Sequence, residues 1–250
     1  KNVKMINIYM LFIMIFNVAQ GHEKAITLSI KNSYVNYVNK NGTSIYNYKS
    51  DIERDNSSNI VTVELTNESN RKYLLMIDKS FIFPESSLNS DMRSLNFLIS
   101  NNDRSYISIY NPITSFEKGL SGIYELKIYN DSLIRNKYKK MDIPNRNFHQ
   151  VFDYEKNSIV IYPGETKTFK YVVNLPIIRE MSWKRDQGVI AYKNLKEGQK
   201  FKIAYSCKAS KLKRILPDYI LKELKENDIE IFDGIIESNE IPLKLGSHKN

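Results

Sequence analysis

Cysteine is nearly absent from this sequence of 250 residues, which contains only Cys207. A single cysteine excludes a disulfide within the chain and a zinc site built on paired cysteines. Glycine and proline are also scarce, with 9 and 7 residues, which excludes a collagen-like or low-complexity chain. The hydrophobic share is 42%, so an ordinary apolar core must hold the fold together without covalent cross-links.

Long apolar runs are equally rare, and the clearest one covers residues 5–19. Lys1 and Lys4 precede this run, no acidic residue interrupts it, and small residues follow it. This order is typical of a secretory signal peptide. We therefore predict that residues 1–21 are a cleaved leader and that residues 22–250 are periplasmic or secreted. An uncleaved anchor is the alternative, and membrane contact is expected only through the leader before cleavage.

Acidic residues are outnumbered, with 28 Asp and Glu against 37 Lys and Arg, and the formal net charge is +9. The cations are scattered, and no block of five like charges occurs. A continuous basic block is what indicates an interaction tail or a nucleic-acid-binding segment. We therefore expect no nucleic-acid partner and attribute the charge mainly to a lysine-rich composition.

The familiar catalytic and cofactor motifs are missing. The sequence has no glycine-rich phosphate loop, no Gly-x-Ser-x-Gly nucleophile motif and no Cys/His zinc spacing. We therefore expect no cofactor and a function that is not enzymatic.

Histidine offers one alternative to this expectation. Cleavage of the leader would make His22 the new N-terminus, whose amine and imidazole could chelate copper. His149 could then complete a histidine brace. A copper-dependent oxidase is therefore an alternative function.

The chain is rich in segments that alternate between apolar and polar residues. Residues 59–65, 166–175 and 200–206 show this period of two, which predicts half-buried strands. In the last of these, Phe201, Ile203 and Tyr205 share one face. Further strands are predicted at 25–30, 72–78, 158–161, 229–236 and 240–245.

Two regions depart from this pattern. Residues 80–150 contain short apolar pieces separated by Ser, Asn and Asp, which predicts a large insertion or a separate small domain. Residues 211–227 have apolar side chains at steps of three and four, which predicts a helix near the C-terminus. Pro217 is expected to break or restart that helix.

The order of the segments resembles an immunoglobulin-like or fibronectin-like domain. Residues 61–65 and 73–77, joined by a polar turn, resemble strands B and C. Pro163-Gly164-Glu165, which precedes residues 168–173, resembles the start of strand E. Residues 195–203 resemble the segment that leads into strand F, and residues 232–243 resemble the closing strand G. Phe201 stands where many such domains have a tyrosine whose hydroxyl bonds to the corner.

This resemblance implies a mostly β fold, an immunoglobulin-like β-sandwich carrying the insertion and the helix in one domain. Periplasmic pilus-type chaperones have a similar length, leader and charge, and they are a second alternative function. Their two domains are nearly equal, whereas only about sixty residues follow Trp183 in this chain.

Function is predicted to lie in the insertion, because long loops on a rigid scaffold commonly carry binding sites. Tyr and Arg anchor many protein interfaces, and both occur there among lysines. The candidate binding residues are Tyr129, Arg135, Tyr138, Lys139 and Lys140. The expected partner is a protein or a glycan at the cell envelope. The alternative is that the aromatic side chains only pack the insertion onto the sandwich. Cys207 and Trp183 are likewise expected to be packing residues, in the core.

Overall fold

The computed structural model describes residues 25–38, 58–89, 91–109, 131–139, 148–177, 181–182, 185–186, 190 and 194–246. These residues form a mostly β protein with several sheets and four helices. The strands are β1 (Ile26–Ile30), β2 (Val35–Tyr37), β3 (Ser58–Asn67), β4 (Lys72–Met76), β5 (Phe83–Pro84), β6 (Leu95–Ser100), β7 (Ser158–Ile161), β8 (Thr166–Asn174), β9 (Met181–Ser182), β10 (Arg185–Asp186), β11 (Lys200–Cys207), β12 (Ile229–Ile231), β13 (Gly234–Glu237) and β14 (Ile241–Leu245). The helices are α1 (131–138), α2 (Phe148–Asn157), α3 (Ala209–Lys213) and α4 (Asp218–Glu226). None of these described helices has the length and apolar character to span a membrane.

The first sheet is antiparallel and has the order β1-β3-β8. Its alternation is the one that the sequence predicts. Val61, Val63 and Leu65 on β3 are buried, while the intervening side chains are partly exposed. Gly164, with a φ of +72°, turns the chain from β7 into β8, a conformation that glycine adopts without steric cost.

The largest sheet is built around β11 and has the order β2-β14-β11-β6-β5, with β13 also paired to β11. β11 is buried on both faces from Phe201 to Cys207. β6 lies inside the range predicted as an insertion, yet it pairs with β11 along its whole length. Part of that range therefore belongs to the central sheet.

The third sheet has the order β12-β4-β7. The sequence predicts residues 73–77 as strand C, which would lie next to strand F. Instead, β4 pairs with β7 and with β12, and β6 takes the place beside β11. The chain therefore crosses from the first sheet to the third after β3.

Asparagine side chains join backbone segments where the strand ladders stop. Asn32 accepts a hydrogen bond from the Thr62 amide at 2.8 Å and donates to the Ile60 carbonyl at 2.9 Å. Asn59 makes the same pair of bonds with the backbone of Asn36, at 2.7 and 2.9 Å. Asn239 does so with Ile30, at 2.7 and 3.2 Å. Each amide supplies one donor and one acceptor, so it substitutes for a strand residue.

The inward faces of these three sheets share one hydrophobic cluster, and β9 and β10 form a separate two-stranded sheet. Tyr205 is fully buried in it, and its hydroxyl accepts a hydrogen bond from the Met76 amide at 3.1 Å. Tyr171 is also buried and donates to the Asp78 carbonyl at 3.0 Å. Burial raises the pKa of both phenols. These bonds fix the third sheet to the strands of the other two.

The corner before β11 is held by Gln199. Its side-chain oxygen accepts a bond from the Lys196 amide at 2.8 Å, and its nitrogen donates to the Asn194 carbonyl at 2.8 Å and to Asn101 Oδ1 at 2.9 Å. Gln199 is buried, so these bonds satisfy a side chain that would otherwise be costly to desolvate. The Gln199 side chain thus supplies the hydrogen bonds at this corner that Phe201, which has no hydroxyl group, cannot make.

The C-terminal helix is interrupted, as Pro217 predicts. The single helix expected at 211–227 is two helices, α3 and α4, with Pro217 in extended conformation immediately before α4. Helices α1 and α2 are not among the elements that the sequence predicts. α2 leads directly into β7, and α4 packs on β12.

Candidate functional site

Helix α1 is fixed to α2 by a buried tyrosine. The Tyr138 ring is fully buried, and its centroid lies 5.9 Å from that of Phe148. Its hydroxyl donates to Glu155 Oε2 at 2.7 Å. Desolvation and the neighbouring carboxylate raise the pKa of Tyr138. The ring therefore packs the two helices together and is not available to a partner, which corrects its predicted role in binding.

The exposed side chains of α1 form two flanks. Lys137 lies on the flank that faces α2, where it forms an ion pair with Glu155 and lies 4.9 Å from the Tyr138 ring centroid. The hydrogen bond to Glu155 raises the pKa of Lys137. Leu133, four residues earlier on the same flank, is 49% exposed. This flank carries a cation that is already neutralised.

The opposite flank of α1 carries Arg135, and Lys139 is the turn residue that follows the helix. Both are exposed, and they are four residues apart, which places Lys139 beside Arg135 at the end of α1. Neither has a hydrogen-bond or ion-pair partner among the described residues. We call this pair the basic flank. Of the other candidate binding residues, Tyr129 and Lys140 lie outside the described part of the chain.

Helix α4 lies close to α2. Burial raises the pKa of Tyr154 to about 12, with a further contribution from Glu223 of α4. Burial also raises the pKa of Tyr219 on α4, and Glu155 of α2 adds to this. Tyr219 is still 46% exposed. The three helices therefore form a connected layer beside the third sheet, with the basic flank at its surface.

His149, the second histidine of the copper hypothesis, lies at the start of α2. Its Nε2 is 3.4 Å from Asp131 Oδ1 on α1, and both side chains are partly exposed. His22, His248 and Trp183 lie outside the described residues. Among the described residues, no group of three or more His, Cys, Asp or Glu side chains is placed to hold a metal ion. The copper hypothesis therefore gains no geometric support in the described part of the chain.

Cys207 is buried, as expected for a packing residue. Desolvation raises the pKa of its thiol to about 11, and the carboxylates of Asp91 and Asp233 add to this. Asp91 accepts the Lys208 amide at 3.3 Å, and Asp233 accepts the Ala209 amide at 3.1 Å. Both carboxylates therefore hold the start of α3, and their charge disfavours a reactive thiolate.

Cys207 is consequently expected to resist thiol reagents in the folded protein. At pH 8 a disulfide reagent should leave the folded chain unmodified, because burial excludes the reagent and the raised pKa keeps the thiol protonated. In concentrated guanidinium chloride the same reagent should modify one thiol per chain. Absorbance of the released thiolate measures both. Rapid modification of the folded protein would show that the site is accessible.

A polar cleft lies at the end of the central sheet, with a volume of about 510 Å³. Ser100 and Lys200, which are register partners on β6 and β11, form its floor. The cleft is lined by Ser100, Asn101, Asn102, Arg104, Lys200 and Glu240. Lys200 Nζ is 3.0 Å from Glu240 Oε2. The sequence does not reveal this cleft, because its residues come from three distant segments, at 100–104, 200 and 240, which only strand pairing brings together.

The loop that forms one wall of the cleft is internally bonded. The Asn101 amide donates to the Ser105 carbonyl at 2.8 Å, and the Arg104 amide donates to the Asn101 carbonyl at 2.9 Å. Asp103 accepts hydrogen bonds from both the Ser105 amide and its hydroxyl, which lowers the pKa of that carboxyl group. The Asp103 carboxylate is thus engaged within the loop and does not line the cleft.

Comparisons with protein-family models, with curated proteins and with solved structures give no match for this chain. The function must therefore be argued from the described residues themselves.

Proposed function

We infer that this chain is an exported, non-enzymatic binding module with an immunoglobulin-like β-sandwich, which uses the basic flank of α1 to bind an acidic protein surface at the cell envelope. The observation that carries this proposal is the exposed Arg135–Lys139 pair at the end of α1, which has no ion-pair or hydrogen-bond partner among the described residues. The leader at residues 1–21 supports export.

Strand order supports the sandwich. In immunoglobulin-like domains, strands A, B and E lie in one sheet and strands C, F and G in the other. Here β1, β3 and β8 have the neighbours of A, B and E, while β6, β11 and β14 have those of C, F and G. The shared hydrophobic cluster between the sheets fits the same arrangement. The helical layer and the third sheet are additions to it, and we propose that all of residues 22–250 form one domain.

The contrast between the two flanks of α1 supports the binding surface. Lys137 forms an ion pair with Glu155 of the same chain, whereas Arg135 and Lys139 are left without a partner among the described residues. Two adjacent cations of this kind attract an acidic surface without first breaking an ion pair within the described part of the chain. Tyr138 keeps the helix rigid, which limits the entropy lost on binding.

Charge reversal tests the proposal. The double variant Arg135→Glu and Lys139→Glu is expected to weaken capture of the native partner from an envelope extract by about 10-fold, since each rim charge contributes on the order of 1 kcal/mol or less. The loss should be greater at low salt, where surface charges are least screened. The melting temperature should stay the same, and surface plasmon resonance with the purified partner measures the affinity.

A matched control separates the basic flank from net charge. Lys79→Glu with Lys170→Glu changes the charge by the same amount at two exposed positions, one in the bend after β4 and one on β8. This control is expected to bind the partner like the unmodified chain. Equal losses in both double variants, or an unchanged affinity in the first, would contradict the proposal.

A further inference from the structure

Arg104 lines the polar cleft and closes the bonded turn that begins at Asn101. Its φ is +66°, in the left-handed region that side chains other than glycine seldom adopt. Its guanidinium group has no hydrogen-bond or ion-pair partner among the described residues. Strained backbone of this kind is commonly kept where it positions a functional side chain. A guanidinium that no described residue occupies, on a residue that lines a cleft, is a feature that a ligand would use.

The charges in the cleft limit the chemistry of that ligand. Arg104 offers a planar set of donors suited to a carboxylate, and no described residue occupies them. Lys200 forms an ion pair with Glu240. The Glu240 side chain remains 40% exposed, so its carboxylate can also accept hydrogen bonds from hydroxyl groups. A doubly charged phosphate would meet repulsion from Glu240, whereas a ligand with a single negative charge and several hydroxyl groups satisfies both ends of the cleft.

The neighbouring amides favour the same ligand. Asn101 is occupied, because its nitrogen donates to Ser105 Oγ at 3.0 Å and its oxygen accepts from Gln199. Asn102 is exposed and lies over Gly198, where an added Cβ would stand 3.1 Å from Asn102 Nδ2. Gly198 thus leaves room for an amide that can both donate to and accept from a sugar hydroxyl.

We propose that the polar cleft binds a carboxylated sugar of the uronic acid class. Its carboxylate is held by Arg104, and its hydroxyl groups are bound by Glu240, Asn102 and Lys200. The volume of about 510 Å³ falls in the range of small-molecule pockets. The cleft is a second site, separate from the basic flank, because it lies at the β6–β11 end of the central sheet.

Calorimetric titration of the full chain with sodium glucuronate tests this proposal. Saturable binding to one site is expected. Arg104→Gly should weaken it about 10-fold or more, because a charge-assisted hydrogen bond is lost, while the melting temperature stays the same or rises, because glycine adopts the left-handed conformation freely. Lys200→Gln should also weaken binding, and it tests the cleft without altering the loop.

Three comparisons decide the outcome. Glucose should bind at least about 10-fold more weakly than glucuronate, since it lacks the carboxylate. Lys170→Gln, which removes a cation outside the cleft lining, should bind glucuronate normally, and so should the double variant of the basic flank. Loss of partner capture in that double variant bears only on the proposed function, whereas loss of glucuronate binding in either variant would contradict the cleft proposal. Absence of glucuronate binding, equal binding of glucose, tighter binding of inorganic phosphate, or unchanged affinity in Arg104→Gly would each overturn the proposal.

Discussion

Replacing Phe201 by alanine is expected to lower the free energy of unfolding by about 3–5 kcal/mol. Phe201 is fully buried on the inner face of β11, and its ring stacks on Phe97 at a centroid distance of 5.1 Å. Its strand neighbours in register are Ile99 and Ile241. Truncation would leave a cavity between three strands of the central sheet, which regular pairing prevents from collapsing. Urea unfolding followed by circular dichroism measures the loss.

Phe81 provides the control for this prediction. It is the same residue type at a position that is 55% exposed. Phe81→Ala should change the stability by about 0.5 kcal/mol or less, as surface substitutions do. Similar losses in the two variants would mean that Phe201 does not lie in the core as described.

Replacing Tyr138 by alanine is expected to detach α1 from α2 at a cost of about 3 kcal/mol. The fully buried ring against Phe148 would be lost, together with the hydrogen bond to Glu155. The effect should be local, because a short helix draws most of its stability from such packing and can open without the sheets. Hydrogen exchange should therefore show a roughly 100-fold loss of protection in α1 and little change in β11.

Tyr138→Phe separates the ring from its hydroxyl. This variant keeps the packed ring and is expected to cost about 1 kcal/mol, the usual contribution of one hydrogen bond. It should retain partner binding through the basic flank, whereas Tyr138→Ala should weaken it. Loss of protection across the whole chain in Tyr138→Ala would contradict a local role for this residue.

The strands were the predictable part of the fold. A period of two is set by the geometry of an extended chain, so β3, β8 and β11 can be located from their apolar faces alone. Pairing is different, because it depends on contacts between distant segments. The apolar run at 95–99 could belong to an insertion or to the central sheet on sequence grounds, and only its pairing with β11 decides between them.

The helices around the candidate site were harder to predict. α2 has no acidic residue in its first turn and contains Phe, Val and Tyr, which are indifferent helix formers. It is stabilised by tertiary contacts, since Phe148 and Val151 are buried. For the same reason, sequence cannot separate Tyr138, which packs inside, from Arg135, which lies at the surface, because aromatic and basic residues alternate there without a clear period.

The asparagine bridges have a consequence for the chemical ageing of the protein. Asn239 and Asn59 occupy backbone groups of β1 and β2 that an incoming strand from another molecule would need for pairing. Hydrolysis of either side-chain amide to a carboxylate would remove the donor and leave a backbone carbonyl unsatisfied. The edge strand could then pair with a strand of a second chain. Slow deamidation at these two positions would therefore promote aggregation through the exposed sheet edge.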